Sequence, residues 1–315
     1  MTFLETPPRV VGRVHGADAG PTLIVIGGLH GNEPSGLVAA GRVLPEIVAA
    51  VAEGGLRGEL VVLSGNRGAL PLGKRYLDRD LNRGWTASRM EALRSGEDAE
   101  GGALSVHAAE DREQLELERE ITKVRARARG PVHLLDLHTT SAPGIPFGMV
   151  GASAEDARFA RHFPLPVLGG LLGALEGVLL DFMSGQGLVT LGVEAGQNED
   201  PASADRHEAV IRIALVAAGL VDEDAAPGLE RARVLLRDAS LARPDRIEVF
   251  HRHPITPEDG FRMEPGFANI APVEEGQLLA RDRRGEIRAP ERCLVLLPLY
   301  QALGDDGFFL GRVAG

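Results

Sequence analysis

The turn Gly27-Gly28-Leu29-His30-Gly31-Asn32-Glu33-Pro34 carries two metal-capable side chains three residues apart, His30 and Glu33. It follows a short apolar run, Leu23-Ile24-Val25-Ile26, that reads as a buried strand with a tight exit. Sheet enzymes gather their ligands beyond the carboxyl ends of strands, and glycines let the backbone turn sharply there. A His-x-x-Glu pair alone is weak evidence. A third donor, His138 in Asp136-Leu137-His138-Thr139-Thr140, stands at the end of another apolar run, Val132 to Leu137. Two histidines and a glutamate leave a fourth position open, which is the donor set of a catalytic rather than a structural zinc site. Asp136, two residues before His138, shares its strand face and can orient it. His15, His107, His133, His162, His207, His251 and His253 have no comparable setting.

Hydrolysis at such a centre needs a base that is not a ligand, to move a proton from water to the leaving amine. Glu194 is the candidate, because it ends the run Leu188 to Val193 and is followed by Ala195-Gly196-Gln197. A third segment is dense in arginine and asparagine: Gly65-Asn66-Arg67-Gly68-Ala69, then Arg75-Tyr76-Leu77-Asp78-Arg79-Asp80-Leu81-Asn82-Arg83. Guanidinium and amide groups suit a substrate carboxylate and a polarised carbonyl. The substrate expected is therefore a small molecule bearing a carboxylate.

These residues need strands to hold them, and the chain supplies strands alternating with helices. A helix is expected from Pro34 or Ser35, with Leu37, Val38, Ala40, Val43 and Leu44 inside it. Leu60 to Leu63 reads as a second strand. Residues 94–106 read as an exposed loop, and 109–129 as an amphipathic helix with Leu115, Leu117, Ile121 and Val124. A helix is expected over 204–219, and the acidic stretch Asp222 to Leu229 reads as a linker. From about Val234, short apolar runs broken by Pro265-Gly266, Glu275-Gly276 and Arg284-Gly285 suggest antiparallel β structure. The expectation is an α/β fold: a mixed-sheet domain over residues 1–225 and a small antiparallel β domain over residues 230–315.

Composition narrows the function. The 315 residues carry a formal charge of −11, against general binding to nucleic acid or acidic membranes, which needs clustered positive charge. Aromatics make up 4%, so the core must be mostly aliphatic. The single cysteine, Cys293, sits in an apolar run and excludes a disulfide framework within one chain. No signal-like N-terminus and no apolar run of about 18 residues is read, so a cytoplasmic protein is expected. Exposed apolar surface could support a homo-oligomer.

Together the three segments resemble the succinylglutamate desuccinylase/aspartoacylase family, relatives of the zinc carboxypeptidases. The matching residues are Gly28-x-His30-Gly31-Asn32-Glu33, Asn66-x-x-Ala69, Arg75-Tyr76-x-Asp78-x-Asp80-Leu81-Asn82-Arg83, Asp136-Leu137-His138 and Val193-Glu194-x-Gly196. Gly266-Phe267-x-Asn269 and Gly276-Gln277-x-Leu279-Ala280 resemble that family's small β domain. The resemblance implies a zinc-carboxypeptidase-like catalytic domain that binds one Zn2+ per chain through His30, Glu33 and His138. It implies Glu194 as general base and then acid, Arg75 on the scissile carbonyl, and Asn82 and Arg83 on the amino-acid carboxylate. Asn66 is counted with the substrate-binding set, and Tyr300 is expected to reach over the site from the C-terminal region. One position departs from the pattern. Aspartoacylase-like members place an acyl-carboxylate arginine about ten residues before the catalytic glutamate, and here Asp181 to Gly187 contains none.

The activity expected is hydrolysis of the amide bond of an N-acylated amino acid or a related small carboxylate. A zinc carboxypeptidase acting on a peptide or amino-acid conjugate would use the same centre. A catalytically silent binding protein on this fold is the alternative of another class. Ser35 and Ser184 lack the Gly-x-Ser-x-Gly turn of a serine hydrolase.

Overall fold

The computed structural model describes residues 5–52, 55–96, 108–240 and 244–314. The glycine- and acid-rich stretch expected as a loop falls largely outside them, as does His107.

The first half alternates strand and helix: β1 (Val10–His15), β2 (Asp18–Gly27), α1 (Ser35–Ala52), β3 (Arg57–Ser64), α2 (Ala87–Ser95), α3 (Ala109–Arg127) and β4 (Val132–Thr140). Next come β5 (Phe147–Met149), α4 (Ala154–Ala160), β6 (Val167–Gly169), α5 (Leu179–Ser184), β7 (Val189–Gln197), α6 (Ala202–Ala217) and α7 (Leu229–Ala239). The C-terminal part is all β: β8 (Arg246–Pro254), β9 (Arg262–Met263), β10 (Ala271–Val273), β11 (Leu278–Asp282), β12 (Gly285–Arg288), β13 (Cys293–Leu296) and β14 (Asp306–Val313).

Among the described residues, eleven strands form one mixed sheet, ordered β1-β3-β2-β4-β7-β5-β6-β8-β14-β13-β10. The centre, β3-β2-β4-β7, is parallel. Its strands are apolar on both faces because helices cover both. Alternation then sorts each strand. Leu23, Val25, Leu135, Leu137, Leu191 and Val193 pack with α1 and α6, while Ile24, Ile26 and Leu134 pack with α3 and α5. Asp136 and His138 share the parity of Leu134, so they belong to the α3 and α5 side. The C-terminal strands join this sheet through the parallel pairing of β6 with β8. A separate small antiparallel sheet, β12-β11-β9, packs with them over a third apolar cluster that includes the buried free thiol of Cys293.

Two expectations are corrected. The strand expected to end at Glu194 runs on to Gln197, because β4 continues beside it to Thr140. Gly196, at φ +125°, takes up the local irregularity there. The stretch read as a linker and the start of β structure holds a short 3-10 turn, Glu223–Ala225, and then α7. Leu229, Ala232 and Leu236 of α7 are buried at helical spacing against α6. Among the described residues no helix is long and apolar enough to cross a membrane.

Candidate active site

The exits of β2, β4 and β7 bring the donors together. After β2 the chain turns at Gly28, whose φ is +69°, and passes against the backbone of the segment that follows β3. At Gly31 a Cβ would lie 2.3 Å from the Ala69 carbonyl carbon and 2.5 Å from the Lys74 carbonyl oxygen, so only glycine permits the approach. This contact sets the arginine-rich segment beside His30 and Glu33.

His30, Glu33 and His138 are buried, and one donor atom from each lies within 4.8 Å of the other two. Nδ1 of His30 is 2.9 Å from Oε1 of Glu33, and Nδ1 of His138 is 2.9 Å from Oε2. Each imidazole turns its other nitrogen to a carboxylate: Nε2 of His30 is 3.1 Å from Asp80 Oδ1, and Nε2 of His138 is 2.8 Å from Asp136 Oδ2. A carboxylate can only accept, so the bond to Asp80 places a proton on Nε2 of His30 and leaves its Nδ1 lone pair for the centre, whereas His138 bonds Glu33 through Nδ1 and keeps Nε2 in close, unaligned contact with Asp136. Nδ1 of His30 makes no aligned hydrogen bond among the described residues despite its short contact with Glu33. Three buried donors that converge on one point fit a cation such as zinc.

The electrostatics agree. Burial works against charge on His138, yet Asp136 and Glu33 outweigh it and hold the imidazole well above the usual histidine range. Burial likewise opposes ionisation of Asp80, and Arg75 and His30 overcome it. Glu33 also stays ionised against burial, through His30 and His138. The field at this point therefore favours positive charge.

Glu194 lies in the interior of β7, in register with His138 on one side and Phe147 on the other. Burial is the main reason its carboxyl is pushed up to about 7, and the charge on Glu33 adds to it. Its Oε2 is buried with no hydrogen-bond partner among the described residues. A carboxyl poised near neutrality and facing the donor cluster suits proton transfer.

Arg75 donates to Asp80 Oδ2 at 3.1 and 2.9 Å and to Glu33 Oε1 at 3.2 Å. Asn82 is fixed by its own backbone N–H on Asp80 Oδ1 and by accepting the Leu179 N–H on its side-chain oxygen, both at 2.8 Å. Arg83 donates to Asp306 Oδ2 at 2.9 Å. All three line the cavity over His30, Glu33, His138 and Glu194.

Asn66 and Tyr300 are not brought to this cavity. Asn66 is fully buried and spends its amide on Glu110 Oε1, while its oxygen accepts from Ala69 N–H. It shapes the loop instead of facing substrate. The Tyr300 hydroxyl is turned to Glu264 and Phe267, donating to one backbone carbonyl and accepting from one backbone N–H. Its neighbour Gln301 lines the cavity and accepts from Asn32 Nδ2 at 3.0 Å. His251 and His253 pack against Phe308.

Three residues in supporting roles were not read from the sequence. Asp80, quoted above only as part of a motif, holds both His30 and Arg75. Asp306 restrains Arg83 from 223 positions away, which no local pattern signals. Glu110 on α3 gathers the segment that carries Arg75 and Asp80, as set out below.

The matched segment supports a deacylase-type hydrolase. Residues 19–160 match the model of the succinylglutamate desuccinylase/aspartoacylase catalytic domain. The fold is shared with the succinylglutamate desuccinylase/aspartoacylase of Rhodobacter sphaeroides, at 17% identity and a TM-score of 0.66, covering 96% of this chain and 88% of that one. It is shared too with the product-bound ectoine utilization protein EutE (DoeB) of Ruegeria pomeroyi, at 22% identity and a TM-score of 0.62, covering 96% and 87%. The succinylglutamate desuccinylase of Chromobacterium violaceum gives 16% identity and a TM-score of 0.59, covering 94% and 85%. No curated protein matches the chain in sequence.

Proposed function

We propose that this chain is a zinc-dependent deacylase that hydrolyses the amide bond of an N-acylated amino acid or a related small carboxylate. His30, Glu33 and His138 would hold the metal. The observation that carries the reading is Glu194: a buried carboxyl whose Oε2 has no hydrogen-bond partner among the described residues, beside a cluster of converging donors that it does not belong to.

Zinc, when bound, would supply Lewis acidity toward the acyl carbonyl and make water more acidic. Glu194 takes one proton from the attacking water, whose oxygen bonds to the acyl carbon. The same carboxyl returns that proton to the amide nitrogen as the C–N bond breaks. Arg75, held by Asp80 and Glu33, presents fixed positive charge to the developing oxyanion. Arg83 and Asn82 receive the carboxylate of the amino-acid part. Asp136 and Asp80 keep the two imidazoles aimed inward.

The test combines metal analysis with turnover on N-acetyl, N-formyl and N-succinyl amino acids. Wild type is expected to hold one zinc per chain and to release free amine. Glu194→Gln is expected to keep the zinc and lose at least about a thousandfold in kcat. That loss combines proton transfer in both directions. His30→Ala is expected to lose the zinc with the fold retained. Stoichiometric zinc without turnover on the whole panel would favour a binding protein, and full zinc in His30→Ala would remove the metal assignment.

A further inference from the structure

The cavity wall bears on which acyl group enters. Around the polar floor the lining is hydrocarbon: Met149 on β5, Leu172, Leu175, Val178 and Leu180 between β6 and β7, and Phe309 on β14. This wall starts beside the base. At Gly192, two residues before Glu194 and on the same strand face, a Cβ would meet Leu180 Cδ1 at 2.6 Å and Met149 Cε at 2.9 Å. Met149 and Leu180 thus cover β7 right next to Glu194, where the scissile amide must lie.

Charge points the same way. Arg75 and Arg83 are the only lysine or arginine side chains among the described lining residues. Arg75 is engaged by Asp80 and Glu33, whereas Arg83 shares the single carboxylate of Asp306 with Arg252, so that group keeps one net positive charge. The remaining carboxyl groups at the cavity, Glu194 and Asp305, offer no positive charge. The site can therefore neutralise one substrate carboxylate, at Arg83 and Asn82. A second one, on the acyl chain, would be stripped of water against leucines with no counter-charge.

We propose that the acyl group taken by this site is an uncharged aliphatic chain lodged on the Met149–Leu172–Leu175–Leu180 wall, so that the substrate is a monocarboxylate. This rests on the deacylase reading above for the identity of the scissile bond. The wall sets specificity. It touches the acyl chain and takes no part in proton transfer.

The experiment compares N-butanoyl with N-succinyl derivatives of each common amino acid, a pair differing by a terminal methyl against a terminal carboxylate. Turnover is measured with zinc-loaded wild type, and binding by calorimetry with zinc-loaded Glu194→Gln. The butanoyl compound is expected to lead by roughly a hundredfold or more in kcat/KM and in affinity, the scale set by burying an unpaired carboxylate. Leu175→Arg, at a half-buried position of the wall, is expected to narrow that ratio at least tenfold. Equal or better use of the succinyl compounds overturns the proposal while leaving the deacylase intact. So does an unchanged ratio in Leu175→Arg, or binding of neither series. A butanoyl preference in binding with no turnover of either series supports the wall and counts against the deacylase reading alone.

Discussion

Removing the Glu110 carboxylate should disable the site from a distance. Glu110 stands in the first turn of α3 and is fully buried. Its Oε1 accepts from Asn66 Nδ2 at 2.9 Å and from Leu77 N–H at 2.7 Å; its Oε2 accepts from Asp78 N–H at 3.0 Å and Arg79 N–H at 3.3 Å. One side chain thus satisfies three consecutive backbone donors just ahead of Asp80, which in turn holds His30 and Arg75. In Glu110→Ala four donors lose their acceptor, and each unsatisfied buried donor costs about 1–3 kcal/mol. Asp78 is exposed and Leu77 and Arg79 are half-buried, so water can reach part of the loop. The expected loss is therefore about 3–5 kcal/mol, below the full sum. Glu110→Gln keeps one acceptor and turns an amide N–H2 toward donors, for a loss of about 2 kcal/mol. Urea unfolding of both variants gives the stability, and kcat/KM with zinc content gives the site. Activity should fall by about ten- to a hundredfold in Glu110→Gln, because displacement of Asp80 misaims Arg75. A loss under about 1 kcal/mol with unchanged kcat/KM would refute the idea that α3 organises the 75–83 segment.

Asp136→Asn should weaken zinc binding by about ten- to a hundredfold, because the amide orients His138 without its negative charge; competition against a chelator of known affinity measures it. Arg83→Ala should raise KM for a carboxylate substrate at least tenfold with a smaller change in kcat, and equal KM for the substrate and its methyl ester in the variant would mark the lost contact. His133, half-buried beside Phe159, is held down to about 4 mainly by burial. Its folded pKa lies below the unfolded value, so the stability tied to its neutral form is intact above about 6.5 and is lost as the pH falls toward 4. His133→Phe should lose less stability than wild type between pH 7 and pH 4.5, by roughly 2 kcal/mol. Identical slopes in urea unfolding at the two pH values would count against that assignment.

The donor set was open to inspection in the sequence because its spacing is local. His30 and Glu33 share one turn, and His138 and Asp136 share one strand face, so strand period and glycine placement were enough to group them. Glu194 could be picked out by its place after an apolar run, although the end of that run was misjudged. Strand length is decided by the neighbour: β7 extends to Gln197 because β4 offers it hydrogen bonds that far. Helix α7 was hidden behind acidic and glycine residues, and its burial depends on α6, which only packing reveals. Side-chain allegiance was beyond reach for the same reason. Asn66 sits in the right motif, yet Glu110 on a distant helix claims its amide. Tyr300 sits in the expected region, yet the carbonyl of Glu264 takes its hydroxyl. The apolar wall comes from β5, the segment between β6 and β7, and β14, whose residues are ordinary core types in sequence. What the sequence determined by itself was which side chains could serve as ligands and base in the proposed function, because such groups must be of particular types. Which charges are paired, as Arg83 and Arg252 are with Asp306, was decided by tertiary contacts, because a hydrogen bond depends on distance in space and not along the chain.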